Sequence, residues 1–433
     1  MIMKPFTNEI LPQGYKMTEL GPLPEEWEVI KPKEYFKEIK IKVGLENRDK
    51  YRPVAVGELG LRFREEIYKN KVKLTENTDK YLIFPYCSIC FGLGAKTLAV
   101  DVNCEKNSKY SVSAAYKIFA FDEKIFNPIF LRSYIKHVQH LWGSRLLVQS
   151  VRQGKKIDKI IFNELPLPLP PLPEQQKIAA VLSAVQEAKE KTQAVIDATK
   201  ALKKSMMKHL FTYGPVPPEE TKNVPLKETE IGSVPKEWEV VKLGEVGNII
   251  TGNTPSKNNK EYWDNGTIDF IKPPDLQNQK IVTFSEKISN SAVRKARIVN
   301  KGTILVSCIG IIGRVGLSLK SLAFNQQINA IVPNENIYNQ FLFYVIQVQQ
   351  KQIENLASFT TVPIVSKAKF STVKIPLPPL PVQQKIASIL SAIDEKIQAE
   401  EAKEKALEDL FRSLLSHLMS GKIRVKDLVI GDW

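Results

Sequence analysis

Seventeen residues are written twice in this chain, as PLPPLPEQQKIAAVLSA from Pro168 and as PLPPLPVQQKIASILSA from Pro376, 208 positions apart. A second pair of copies, LPEEWEVIK from Leu23 and VPKEWEVVK from Val234, aligns Trp27 with Trp238 at an offset of 211. An internal repeat fixes architecture before local propensity does. The 433 residues also exceed a usual single domain. Each half therefore reads as one module: a Pro-x-Glu-Trp start, a variable middle, and a Pro-Leu run feeding a helix.

The segments after the Pro-Leu runs have helical periodicity. Ile178, Val181, Val185, Ala188, Thr192, Val195, Thr199, Leu202 and Met206 alternate steps of three and four, the seam of a coiled coil. The second copy gives Ile386, Ile389 and Ile393, then polar Lys396, Glu400 and Lys403, then Leu407, Leu410 and Leu414, with Ile397 one position off the seam. Pro173 and Pro381 suit first-turn positions, where no N–H is needed. From Gln176 to His209 and from Gln384 to His417 the copies align without a gap, about 50 Å of helix each. Two helices of equal length, each with a seam, predict an antiparallel pair. The alternative is that each packs on its own module as an ordinary amphipathic helix.

The expected divisions are an N-terminal extension 1–19, a first module 20–173, a long helix 174–211, a linker 212–230, a second module 231–381, a second long helix 382–420 and a tail 421–433. The variable regions read as mixed α/β. GTILVSCIGIIGRVGLSL from Gly302 predicts strands around a tight turn at Gly310 to Gly316. YNQFLFYVIQVQQKQIENL from Tyr338 predicts a helix, with FNPIFLRSYIKHVQHL from Phe126 in the matching place of the first module.

Lys and Arg outnumber Asp and Glu by 62 to 47, a formal charge of +15, which suits a polyanion because basic surface displaces counterions from phosphates. The other reading is a basic protein whose excess lysines only solvate it. Four cysteines, no signal-peptide pattern and no long apolar run predict a reducing, cytoplasmic compartment and no membrane partner.

Catalytic motifs are missing from the sequence. It holds no Gly-rich phosphate loop or dinucleotide fingerprint. IKPPDLQ at Ile271 departs from the Asn/Asp-Pro-Pro-aromatic loop of amino-methyltransferases, and Pro274-Asp275 lacks the acid-x-Lys of Pro-Asp nucleases. Cys87 and Cys90 have metal-site spacing but no second pair, and their apolar setting predicts buried strand cysteines. His209 and His417 occupy equivalent helix positions, as packing residues would.

Nucleic-acid chemistry remains. ITGNTPSKNNKEYWDNG from Ile250 mixes turn formers, amides, lysines and aromatics, the set that contacts phosphates and base edges. Arg314 lies in a Gly-bracketed turn that a duplex could approach closely. SFTTVPIVSKAKF from Ser358 and VRQGKKIDKI from Val151 precede the two Pro-Leu runs at similar places. Each also reads as a plain solvated loop or hairpin turn. The DNA-binding candidates are Thr254, Lys257, Arg314 and Thr361 in the second module, with Arg152 and Lys155 in the first.

The two Pro-x-Glu-Trp starts, TGNTP at Thr251, GIIGRVG at Gly310, FNQQINAIVPN at Phe324 and both PLPPLP-QQKIA runs together resemble the specificity subunit of type I restriction-modification enzymes. The resemblance spans about residues 20 to 425. It implies two target-recognition domains of α/β (α+β) type, separated by two long antiparallel coiled-coil helices with pseudo-twofold symmetry. It further implies a non-catalytic reader of double-stranded DNA that binds two modification subunits and recruits motor-nuclease subunits. S-adenosylmethionine, ATP and Mg would then sit on those partners, with no cofactor or metal in this chain. Two different modules would read an asymmetric bipartite target, with half-sites about one duplex turn apart. Gln176, Ile178, Val185 and Leu202, with Gln384, Ile386, Ile393 and Leu410, are the expected helix-pairing and partner-docking residues. The first module lacks clear copies of TGNTP and GIIGRVG, and Glu174 becomes Val382 in the second helix start. Two rival classes are an enzyme with unrecognised motifs and a protein-only adaptor using its PLPPLP runs as polyproline ligands.

Overall fold

The computed structural model describes residues 11–67, 78–93, 97–149, 155–281, 286–358 and 362–427. The chain divides into two compact units, Met1–Thr192 with Lys403–Trp433, and Gln193–Ala402. The first long helix runs Leu172–Tyr213 and the second Leu380–Met419. Each unit thus holds the first half of the helix that follows its own sheets and the second half of the other helix.

The duplicated segments meet each other. In the first unit Glu28–Ile30 pairs antiparallel with Leu167–Leu169, setting Val29 opposite Pro168. In the second, Glu239–Lys242 pairs with Lys374–Leu377, setting Val240 opposite Pro376. Two-stranded ladders tolerate these prolines because an edge residue need not donate on both sides. Trp27 and Trp238, just before these strands, are buried. A hairpin precedes each tryptophan: Tyr15–Thr18 with Gly21–Pro24, and Leu226–Thr229 with Gly232–Pro235. Gly21 and Gly232 turn at φ 97° and 101°, and Thr18 and Thr229 each donate to that glycine's carbonyl. The strand Leu226–Thr229 falls inside the stretch expected as linker.

The variable middles share one topology. The first unit orders a sheet Lys37–Ile39, Lys117–Ala120, Ser88–Phe91, Val100–Asn103. The second orders Gly247–Thr251, Ile328–Pro333, Ile304–Ser307, Val315–Ser318, and adds Gln279–Ile281 at the edge. A second sheet also repeats, as Gly60–Phe63, Arg52–Gly57, Tyr110–Val112, Leu82–Phe84 and as Glu286–Ile288, Ile268–Ile271, Leu322–Phe324, Ile298–Val299. In each, the central pair alone is parallel. Strands such as SICF and ILVS are buried on both faces, hence their continuous apolar character. The helix Pro128–Leu146 packs Phe130, Tyr134 and Trp142 into the first core, and Asn339–Val348 packs Phe341, Phe343 and Tyr344 into the second. The expected helix from Tyr338 breaks at Gln349 and resumes as Gln350–Asn355. Gly316 lies within a strand, so the tight turn closes at Gly313.

One buried amide in each unit ties three segments together. Gln175 Nε2 donates to Ile125 O and Pro170 O, both at 2.9 Å, while its Oε1 accepts from Asn127 N at 2.8 Å. Gln383 does the same with Asn336 O, Pro378 O and Tyr338 N. The pattern matches atom for atom at the repeat offsets. Gln176 and Gln384, expected as the interaction residues, are exposed on the same turns.

Within each unit the two long helices run antiparallel. In the first, Ile178 and Leu182 share a core with Leu418 and Met419, and further along the first helix Lys189 pairs with Glu408. In the second, Lys203 pairs with Asp394 at 2.6 Å, and Leu210 shares a core with Ile386 and Leu390. The seam is shifted from the expected one at alternate positions. Ile178, Thr192 and Thr199 are buried as expected and Val181 and Val185 are half-buried, but Leu182 joins them in the core, Ile196 replaces Val195, and Lys203 replaces Leu202, which is 52% exposed. On the second helix Ile386 is buried and Ile393 half-buried, Ile397 lies in the seam after all, and Phe411 turns inward while Leu410 is 46% exposed. The cause is that Lys189 and Lys203 occupy seam positions. Their apolar stems are covered while their ammonium groups reach an acid, and each also lies over an aromatic ring, Phe411 and Tyr344 respectively.

Replacing either buried amide leaves several backbone groups unpaired. Gln175→Ala and Gln383→Ala should each destabilise the chain by about 2–4 kcal/mol, against less than about 0.5 kcal/mol for Gln176→Ala or Gln384→Ala. Urea unfolding of the four variants checks this.

Candidate nucleic-acid interface

In the second unit the motifs read from the sequence converge on one end of the five-stranded sheet. Thr251 pairs with Asn329, and its hydroxyl donates to the Asn329 amide oxygen at 2.7 Å. Beyond it the chain leaves the ladder but stays docked, since Gly252 N donates to Ile328 O and Asn253 N to Phe324 O. A Cβ at Gly252 would lie 2.1 Å from Asn325 O, so only glycine allows this approach. Thr254 Oγ1 then donates to Gln326 Oε1 at 2.5 Å. From the other side Arg297 N donates to Asn253 Oδ1 at 2.7 Å, and its guanidinium donates to Thr251 O.

The turn carrying Arg314 closes the neighbouring strand pair. Gly310 and Gly313 sit at φ 76° and 83°, and Ser307 N and Oγ bind the Arg314 carbonyl and N–H. Ser307 faces Ile328 across the ladder. Arg314 and the Gly252 loop therefore share one sheet end, three strand spacings or roughly 14 Å apart. The Arg314 side chain is half-buried, and its guanidinium makes no hydrogen bond or ion pair among the described residues. Pro363 and Val365 dock at the same end, where Gly310 N donates to Pro363 O and Val365 N to Cys308 O. Thr361 lies outside the described residues.

Lys257 is exposed but engaged. Its Nζ lies 2.6 Å from Glu286 and 3.2 Å from the Trp263 ring centroid. Burial pushes the Glu286 carboxyl up, but the hydrogen bonds from Lys257 and Lys272 outweigh it and hold the group below the usual carboxylate range. Two lysines on one carboxylate leave a net positive charge beside the loop.

The matching end of the first unit is built differently. By topology, residues 40–42 take the place of the Gly252 loop, and residues 114–116 that of residues 325–327. Phe91 takes the place of Ser307 and pairs with Val100, so an apolar residue stands where the second unit has Arg314. Lys155 is exposed at the start of the strand Lys155–Ile157, which pairs with Leu147–Gln149. Arg152 lies outside the described residues.

The profile of the type I restriction modification DNA specificity domain matches residues 24–198 and again 235–409. The chain belongs to this family. The MjaVIII type I restriction enzyme specificity subunit of Methanocaldococcus jannaschii is 30% identical over 427 residues, 94% of this chain and 95% of the relative. The HindI specificity subunit of Haemophilus influenzae is 32% identical over 200 residues, 44% of this chain and 42% of the relative. The crystal structure of the type I S subunit from M. genitalium matches the fold with a TM-score of 0.58 at 18% identity, covering 90% of this chain and 96% of that one. As a specificity subunit the chain is not itself an enzyme.

Cys90 lies fully buried in a strand, and Cys87, at φ 57°, is buried just before it. Burial pushes both thiols up. Among the described residues no three His, Cys, Asp or Glu side chains could hold a metal ion, and no helix is long and apolar enough to cross a membrane. His209 Nε2 lies 2.8 Å from Val216 O, and His417 Nδ1 lies 2.8 Å from Ser413 O, both at helix C-terminal ends. Asn253, Arg297 and Gln326, which hold the Gly252 loop, were not among the sequence candidates. Their segments are far apart in the chain, and only the sheet order brings them together.

Gly252→Ala should force the loop off Asn325 and cost about 1–3 kcal/mol. Thermal unfolding, with Gly57→Ala as the control because no atom lies within 4 Å of that position, checks it.

Proposed function

We propose that each unit reads a different short DNA half-site with its sheet-end loops, so that the chain specifies an asymmetric bipartite target for partner subunits to methylate at adenine or to cleave. The carrying observation is the contrast between glutamine anchors repeated atom for atom and loop sets that differ at the matched sheet ends. Arg314 is the base reader, because an unpaired guanidinium on a Gly-bracketed turn can reach a guanine edge in the major groove. Thr254, Lys257 and Lys155 fix register through phosphates. Arg152 and Thr361 remain candidates by their place in the sequence.

The exposed Gln176 and Gln384, at matched places on the two helix starts, suit one modification subunit docking on each unit, and the exposed Leu202 and Leu410 add apolar contact area. Motor-nuclease subunits would join that assembly, with S-adenosylmethionine, ATP and Mg supplied by the partners. A polyproline-ligand adaptor is disfavoured because Pro168 and Pro376 lie within strand pairs.

The test is co-expression with the modification subunit, with methylated adenines mapped by sequencing in the presence and absence of this chain. The expected result is a two-part motif with a fixed unread gap that appears only when the chain is present. Arg314→Ala should relax one base position of one half-site and weaken target binding by about 1–3 kcal/mol. Methylation unchanged by removal of the chain would defeat the reading.

A further inference from the structure

The unit Gln193–Ala402 carries a second basic feature away from the sheet-end loops. A cleft of about 740 Å³ opens between the first long helix, the hairpin turn at Ile231–Val234 and the helix junction at Gln347–Lys351. Lys200, Lys203, Lys204, Lys208 and Lys351 line it beside Met207 and Phe211, and among the described residues no carboxylate does. Lys200 and Lys203 are engaged, by Glu401 at 2.7 Å and Asp394 at 2.6 Å. Lys204, Lys208 and Lys351 are exposed and have no ion pair among the described residues. Three uncompensated ammonium groups around one concave surface attract an anion strongly.

Two further observations select the anion. The first is position. Gln350, between the cleft residues Gln349 and Lys351, packs against the turn that carries Arg314, since a Cβ at Gly313 would lie 2.7 Å from Gln350 Cγ. Glu354, on the same short helix, is held by Gln350 Nε2 at 2.8 Å. Two residues that line the cleft therefore flank one that abuts the turn carrying Arg314. The second is that the lysines of the cleft are not duplicated. At the repeat offset of 208 the counterparts of Lys200, Lys204 and Lys208 are Glu408, Arg412 and Ser416. A surface that docks the same partner subunit twice would repeat its charges in both units, and this one does not.

We propose that this cleft holds backbone phosphates of the duplex flanking the half-site read by the second unit, clamping DNA without reading its sequence. The inference rests on the DNA-reading function proposed above. Lys204, Lys208 and Lys351 are its phosphate contacts.

The test uses the full complex with modification subunits, comparing wild type with a triple variant, Lys204→Gln, Lys208→Gln and Lys351→Gln. Binding is measured against salt on duplexes that end at the target or extend beyond it. The slope of log K against log salt should become shallower by up to about 2.7, because each phosphate contact contributes roughly 0.9. The loss should be similar for target and non-target DNA, should be larger on the extended duplex, and should leave the methylated sequence unchanged. The matching Lys→Arg triple variant should restore the slope and separates charge from misfolding. An unchanged slope in a wild-type-specific complex would overturn the cleft assignment alone. Loss of partner subunits on purification would overturn it in favour of a protein-docking face. If wild type shows no sequence-specific methylation, the underlying reading fails, and the slope on non-specific DNA still decides the cleft.

Discussion

The architecture depends on one buried glutamine per unit. A proline run ends the last strand, and prolines carry no N–H with which to organise the next turn. The chain must nevertheless pass from strand to long helix at a defined angle. Gln175 and Gln383 solve this with the two donors and one acceptor of a primary amide. They bind a carbonyl of the proline run and both a carbonyl and an N–H at the loop entering the helix Pro128–Leu146 or Asn339–Val348. Each long helix is thereby fixed to the sheet-bearing body of its own unit, and the Trp-strand ladder beside it stays in register.

The unlike ends of the two helix starts show how much latitude that anchor leaves. In the first unit Glu174 accepts from Trp27 Nε1 at 3.0 Å and receives a bidentate pair from Arg424, which also reaches Glu26 at 3.0 Å. The hydrogen bonds that Arg424 donates to Glu174 push its already basic guanidinium further up. This ties the segment after the second long helix to the first unit, where Tyr15 Oη also donates to Gly421 O at 2.7 Å. The second unit has Val382 in place of Glu174, packed at the edge of an apolar core that includes Trp238, Leu210 and Phe211. Both tryptophans lie in an apolar core, and Trp27 alone adds a hydrogen bond to a carboxylate.

The repeat made the fold class, the matched modules and the antiparallel helices legible, because copies that must pair with each other cannot drift independently. The helix register was less legible. Apolarity ranks Leu202 above Lys203, but the lysine lies inward because its stem is covered and Asp394 receives its charge. Of two adjacent glutamines, sequence cannot say which is buried, since one residue is a rotation of about 100° on a helix. At the candidate interface Thr254 and Arg314 could be proposed from the sequence, but Arg297 and Gln326 could not. Those residues act by holding a loop whose neighbours are set by strand order.

The half-buried lysines also bear on why the pairing is unique. An all-apolar antiparallel seam could slip by a heptad with little loss, because its layers resemble one another. Lys189 with Glu408 and Lys203 with Asp394 remove that degeneracy. The hydrogen bond from Lys189 holds the Glu408 carboxyl below its usual range, so that carboxylate stays charged until the pH falls below the ordinary glutamate value. A slipped register would cover these charges without partners, at a cost of a few kcal/mol, while the native register satisfies both. The charged positions thus select one alignment of the helices, and the apolar ones supply most of its stability. The loops at the sheet ends contribute little to either, and they are the parts of the two units that differ most.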